Sequence, residues 1–220
     1  MRLILASNSP RRRELLQQVG ISFQVMPSDC EEICTMDAPE ALVEDLARQK
    51  AEKVAENVRE QLIGKVGASE GAEPSAALKG TGNVPGEGAV VLGADTVVAM
   101  DGKILGKPEN EEDAFQMIQS LQGRSHEVYS GVALLFLSEE TGEIARARTF
   151  HAKTQVEVYP MTEEEIRDYI ATREPMDKAG AYGIQGSFAA YIKGLVGDYC
   201  NVVGLPVSRL VRKLKEEGIV

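Results

Sequence analysis

The chain has no tryptophan, and aromatic residues make up only 5% of its 220 residues. A surface that stacks the bases of a single strand needs repeated exposed aromatics, so this poverty speaks against one. Basic residues are also in the minority: 24 Lys and Arg stand against 34 Asp and Glu, a formal net charge of −10. Polymeric nucleic acid is held by clustered Lys and Arg, so it is not an expected partner. A small anion can still bind where basic side chains, a helix N-terminus or a metal reverse the local field. Cysteine is scarce and odd in number, at Cys30, Cys34 and Cys200, which does not read as a disulfide framework. Cys30-x-x-x-Cys34 has no second Cys or His pair nearby, so it does not read as a zinc site. No apolar run reaches about 18 residues, and the opening stretch 1–6 is too short for a signal peptide or a membrane span. A cytoplasmic location without membrane attachment is the expectation.

What is present is a balanced composition, 43% apolar and 26% charged, in a length able to bury a real core. Residues 3–6 read as a short strand, and Pro10 opens a helix that Gly20 stops. Residues 21–26 alternate like a strand, and a long helix is expected over 39–62. An apolar strand follows at 89–100, then an Asp101-Gly102 hairpin turn into 103–105. A helix over 110–121, two long strands at 126–137 and 144–159, and a capping box of Thr162 with Glu165 come next. The Gly-rich segment 180–204 reads as short strands, and 206–217 as the last helix. Interleaved strands and helices predict an α/β fold with a mixed sheet, as a single domain over 1–220. Residues 64–88 stand apart: Gly, Ala, Ser and Pro dominate, and such a stretch reads as a flexible surface insertion. Its Gly80-x-Gly82 lacks the flanking strand and helix of a dinucleotide loop.

Six constellations carry candidate chemistry. In Ser7-Asn8-Ser9-Pro10-Arg11-Arg12-Arg13, three arginines crowd the first turn of a helix, where positive charge is disfavoured. A bound phosphate would compensate them; so would salt bridges to acidic neighbours at a solvated helix start. At about 100° per residue the three cannot share one face. Asp95 lies inside the apolar run Val90–Val98, where a carboxylate is costly unless paired or metal-bound. It is a metal ligand, a general base or a structural aspartate. Lys50 falls on the same helical stripe as Leu46 and Val54, so it snorkels to solvent or enters a polar pocket. The pair Glu31-Glu32 reads as a solvated loop unless other residues recruit it. Gly106-Lys107-Pro108 echoes a P-loop, but the spacing is short and Pro replaces Ser or Thr. Last, glycines 180, 183 and 186 frame Gln185, whose amide can read the edge of a base; a Gly-rich corner is the alternative.

Together these segments resemble the Maf family of nucleoside triphosphate pyrophosphatases. The resemblance rests on Ser7–Arg12, Gly93–Thr96, Gly106–Pro108, Gly123–Val128 and Gly197–Pro206, in order and over nearly the whole chain. The run Asp177 to Gly186 looks like the subgroup that hydrolyses dTTP and UTP. The resemblance implies an elongated mixed sheet flanked by helices, with two lobes around a nucleotide cleft. It implies Asp95 as the proton acceptor, and Arg11, Thr96 and Gln185 as specificity positions. Ser7, Arg12, Glu32, Lys50 and Lys107 are implied as pocket residues. Mg²⁺ or Mn²⁺ is the implied cofactor, with Asp95 and Glu32 as its ligands, and a homodimer is a frequent form. The family's link to arrest of cell division leaves a nucleotide-binding regulator as one alternative, and a purine-directed house-cleaning pyrophosphatase as another. The chain departs from the family pattern at Gln122 and Asp198, where Ser is usual, and at Arg173, where Gly is frequent.

Overall fold

A computed structural model describes residues 1–34, 36–66 and 88–220, with side chains of 62–66 left aside. Most of the flexible insertion expected at 64–88 therefore lies outside the described residues, and so does Gly80-x-Gly82. The strands are β1 (Arg2–Leu5), β2 (Gln24–Val25), β3 (Ala89–Met100), β4 (Lys103–Leu105), β5 (Ser125–Leu137), β6 (Ile144–Val158) and β7 (Ile192–Val196). The helices are α1 (Pro10–Gln18), α2 (Pro39–Val66), α3 (Glu111–Leu121), α4 (Glu163–Ala171), α5 (Tyr199–Val203) and α6 (Val207–Glu216). The class is the expected one: a seven-stranded mixed sheet in the order β2-β1-β3-β5-β6-β7, with β4 beside β3.

Three elements differ from expectation. The helix expected to end at 62 runs on to Val66, so it enters the first residues of the expected insertion. The strand expected over 21–26 shrinks to Gln24–Val25, because β1 offers it only the partners Ile4 and Leu5. The Gly-rich segment is not a set of short strands: it carries 3-10 turns at Ala179–Ala181 and Ser187–Tyr191, the single strand β7, and α5. Positive φ at Gly180, Gly197 and Gly204 breaks any continuous pleat there.

β3 organises the site. β5 pairs along one side of it from Val90 to Ala99. On the other side β1 pairs only as far as Leu92, and β4 begins only at Val98. Between those limits the β3 edge has no strand partner among the described residues, and the cleft opens there. Alternation along β3 sends Val90, Leu92 and Ala94 into the main core with α3, α4 and α6. Val91 and Val97 face α2 instead. Asp95 therefore points toward α2 and Thr96 away from it.

α2 lies unusually close to the sheet. A Cβ at Gly93 would meet the Ala47 carbonyl oxygen at 2.0 Å, and one at Gly131 would meet that of Val43 at 2.1 Å. Only glycine admits the helix backbone at these two points. That approach sets the height of Lys50, one turn beyond Ala47, against Asp95.

The departures from the family pattern have local explanations. Asp198 caps α5 by accepting from the Cys200 N–H at 2.8 Å, the task Ser performs at such a position. Gln122 accepts from the Met161 N–H at 3.1 Å and ties the end of α3 to the start of α4. Arg173 sits at φ +65°, where glycine is freer, and its side chain pairs with Glu111 at 2.9 Å. No described helix is long and apolar enough to cross a membrane.

Candidate active site

The open edge of β3 faces a cleft of about 1000 Å³, roofed by the segment from Glu174 to Gly186. Ser7, Arg11, Arg12, Glu32, Lys50, Asp95, Thr96, Lys107 and Gln185 all line it, so the structure brings every expected site residue to one cavity.

β1 ends at Leu5, Ser7 turns the chain, and α1 starts at Pro10. The N-cap residue Ser9 makes no cap hydrogen bond to α1 among the described residues. The first-turn N–H groups are left for another acceptor. The three arginines separate as the helical angle requires. Arg12 turns inward: Nε donates to the Gly204 carbonyl at 2.9 Å, Nη1 to Ser7 Oγ at 3.2 Å and Nη2 to Thr96 Oγ1 at 3.3 Å. Burial lowers its pKa, with Asp95 pulling the other way. Arg11 stays on the cleft wall, 4.0 Å from Asp177 on the opposite rim. Arg13 folds back on the Asn8 carbonyl at 3.1 Å and is outside the cleft lining.

Thr96 continues the Arg12 network inward. Its hydroxyl lies 2.7 Å from Ser130 Oγ, which donates to the Asn201 carbonyl at 2.8 Å. Asn201 is wholly buried and donates from Nδ2 to Val128 O at 3.0 Å and Thr154 Oγ1 at 2.9 Å. Ser130 and Asn201 were not singled out by sequence reasoning, although a polar residue in the apolar run of β5 was a visible signal.

On the α2 side, Lys50 does not snorkel. Its Nζ lies 2.5 Å from Asp95 Oδ1 and 2.8 Å from Glu32 Oε1. Asp95 is thus paired with a cation, and Glu32 reaches the same ammonium from its loop. Asp95 is 8% exposed, so its carboxylate is shielded yet reachable from the cleft. Two carboxylates converging on one cation form a hard oxygen donor set. Among the described residues no cluster of three or more His, Cys, Asp or Glu could hold a metal alone. A hard divalent cation fits such a pair where ligand phosphates and water complete its shell, as Mg²⁺ commonly arranges.

Lys107 is exposed at the rim, on the turn that follows β4. That turn is anchored to the roof, since the Gly180 N–H donates to the Gly106 carbonyl at 2.9 Å. Gln185 is exposed and makes no hydrogen bond to described residues, so its amide is free for a ligand. Below it, Tyr182 OH lies 2.7 Å from His126 Nε2. Burial pushes the His126 pKa down to about 4, so the ring is neutral.

The cleft thus combines an uncapped helix start with inward arginine, a shielded carboxylate beside an ammonium, and a free amide at the far end. That combination defines a phosphate-ester or anhydride-handling site with room for a nucleotide. The chain belongs to the Maf family: the family profile, described as Maf-like protein, matches residues 2–217. A relative from Agathobacter rectalis named dTTP/UTP pyrophosphatase is 49% identical over 99% of this chain and 98% of its own length. Proteins of the same name from Lachnoclostridium phytofermentans and Carboxydothermus hydrogenoformans are 42% and 43% identical, over 99% of this chain and 95% and 100% of theirs.

Proposed function

We propose that the protein hydrolyses dTTP and UTP to the nucleoside monophosphate and pyrophosphate. The observation that carries this reading is the Glu32–Lys50–Asp95 cluster set beside the uncapped start of α1, in one cleft. The names of its relatives supply the substrate class. The triphosphate lies against the first-turn N–H groups of α1, with Arg11, Arg12 and Ser7 on its oxygens. Lys50 and Lys107 add positive charge to the same end. Asp95 accepts the proton of a water that attacks the α-phosphorus. The new P–O bond forms as the bond to the bridging oxygen breaks, and pyrophosphate leaves. Asp95 and Glu32 would hold Mg²⁺ or Mn²⁺, whose charge offsets that of the phosphates when bound. Catalysis is then positioning and charge neutralisation by groups already in place. Gln185 offers a donor and an acceptor to a pyrimidine edge.

A panel of nucleoside triphosphates with Mg²⁺, scored separately for pyrophosphate and phosphate, tests this. Pyrophosphate release with dTTP and UTP preferred is expected. Phosphate release would overturn attack at the α-phosphorus, a purine preference would overturn the substrate class, and binding without turnover would make the protein a regulator.

A further inference from the structure

The roof segment that carries Gln185 has no regular secondary structure over residues 182–186, yet its backbone is fixed at both ends by one carboxylate. Glu174 Oε2 accepts from the Ser187 N–H at 2.9 Å and from the Ser187 hydroxyl at 2.9 Å. Glu174 Oε1 accepts from the Tyr169 hydroxyl at 3.0 Å, and that hydroxyl oxygen accepts from the Gly183 N–H at 3.2 Å. Gly183 and Ser187 stand two residues before and two after Gln185. The turn between them closes on itself, Gly186 N–H donating to the Gly183 carbonyl at 3.2 Å. A Cβ at Gly186 would lie 2.0 Å from Glu174 Oε1, so the loop backbone is pressed onto the carboxylate and admits no side chain there.

The support beneath is firm. Tyr169 packs on Phe188 at 5.0 Å between ring centroids, and Phe188 on Tyr182 at 4.8 Å. Burial raises the Tyr169 phenol, which keeps it a donor to Glu174. Lys178 Nζ donates to the Glu174 backbone carbonyl at 2.9 Å, locking the residue from its main-chain side. Gln185, by contrast, has no partner of its own among the described residues. Its direction is set by the backbone that carries it, and that backbone hangs from Glu174.

We infer that Glu174, itself on the cleft lining, is the positioning residue for base selection: it acts by aiming the Gln185 amide into the cleft. The inference rests on the proposed pyrimidine specificity and extends it to a residue outside the reacting groups. Glu174→Gln keeps the length and one carbonyl oxygen but replaces the other acceptor with an NH₂, so the side chain can no longer accept from both Ser187 and Tyr169. The loop then loses one of its two anchors while the phosphate-binding groups on α1 and α2 are untouched.

The test compares wild type, Glu174→Gln, Gln185→Ala and the double variant. It uses kcat and KM for dTTP and GTP, and the Kd of inorganic pyrophosphate by calorimetry. Glu174→Gln is expected to lower the dTTP-to-GTP preference in kcat/KM by about tenfold, through KM, with pyrophosphate affinity held within about twofold. The double variant should lose no more preference than Gln185→Ala alone, because both changes remove the same contact. Tyr169→Phe keeps the ring stack and removes only the hydroxyl, so it should give the same pattern and decides the matter if Glu174→Gln does not fold. Unchanged preference in these variants, additive losses, or a parallel loss of pyrophosphate affinity would overturn the inference. A wild type without preference for dTTP would overturn the proposed function instead, and this inference with it.

Discussion

At one end of the cleft Arg12 makes three hydrogen bonds to the protein; at the other Gln185 makes none to described residues. The two ends are built on different terms. The Arg12 end draws on β1, α1, β3, β5 and α5, and its side chains are committed to one another before any ligand arrives. Such a network holds charge in a fixed place, which suits a group that every nucleotide shares. The Gln185 end is a glycine loop held by its backbone, and its reading group is kept free. A free amide can discriminate, since an unsatisfied partner in the wrong ligand is costly. Affinity and selectivity should therefore fail separately when these ends are altered.

The sharpest way to break this division is Asp95→Asn, which keeps the shape and removes the charge. Turnover should fall by about 10³-fold, as loss of a general base typically costs. Nucleotide affinity should stay within about threefold, since the α1 groups remain. Rapid-mix turnover and equilibrium binding of dTTP check the two halves. Near-normal kcat would remove Asp95 from the chemistry.

Next in size is a pH effect beneath the Gln185 end. His126 is 2% exposed and its pKa is pushed from the usual 6.5 down to about 4. The unfolded chain therefore takes up the proton first, and stability is lost as pH falls from 6.5 toward 4. Below that range the loss levels off. The shift corresponds to roughly 3 kcal/mol from this one ring. His126→Phe should flatten the fall in unfolding free energy between pH 6.5 and 4 relative to wild type. Equal slopes in denaturant melts across that range would refute it.

How far these features could be read beforehand depends on whether they are local or long-range. The β3 strand, the Asp101-Gly102 turn, the Asn110 start of α3 and the Thr162–Glu165 capping box were legible, because each is written in adjacent residues. Lys50 lies on an apolar stripe, and nothing local decides between snorkelling and pairing. The decision comes from Gly93 and Gly131, which let α2 approach the sheet. The Glu174 anchor was likewise illegible, since it joins α4, a 3-10 turn and a loop. Ser130 and Asn201 are polar residues whose partners lie 34 to 73 positions away in the chain. Five ordered motifs located the site, but only the fold says which arginine turns inward.

Thr96 offers a smaller test that separates the two ends directly. Its resemblance-derived role is specificity, yet its hydroxyl is engaged by Arg12 and Ser130. Thr96→Val preserves volume and removes the acceptor for Arg12. We expect KM to rise by about tenfold for every nucleoside triphosphate, with the dTTP-to-GTP ratio unchanged. Gln185→Ala should do the reverse, altering the ratio and sparing pyrophosphate affinity. If Thr96→Val alters the ratio, the hydroxyl reads the base and the division between the ends is wrong.

The smallest effect concerns the rim of the roof. Arg173 adopts φ +65° directly before Glu174, a conformation that costs a non-glycine residue about 1 kcal/mol. Its ion pair with Glu111 is exposed on both sides, so it returns well under about 1 kcal/mol. Glycine at this position would remove the left-handed penalty but add backbone freedom to the unfolded chain, which offsets part of the gain. Arg173→Gly should therefore stabilise the fold by about 0.5 kcal/mol at most, read as a small rise in the urea midpoint at unchanged slope. Because the residue precedes the Glu174 anchor and touches no cleft group, the dTTP-to-GTP ratio should not move. A changed ratio would mean that the anchor depends on the rim as well as on its own hydrogen bonds, and the Gln185 end would then be less autonomous than its geometry implies.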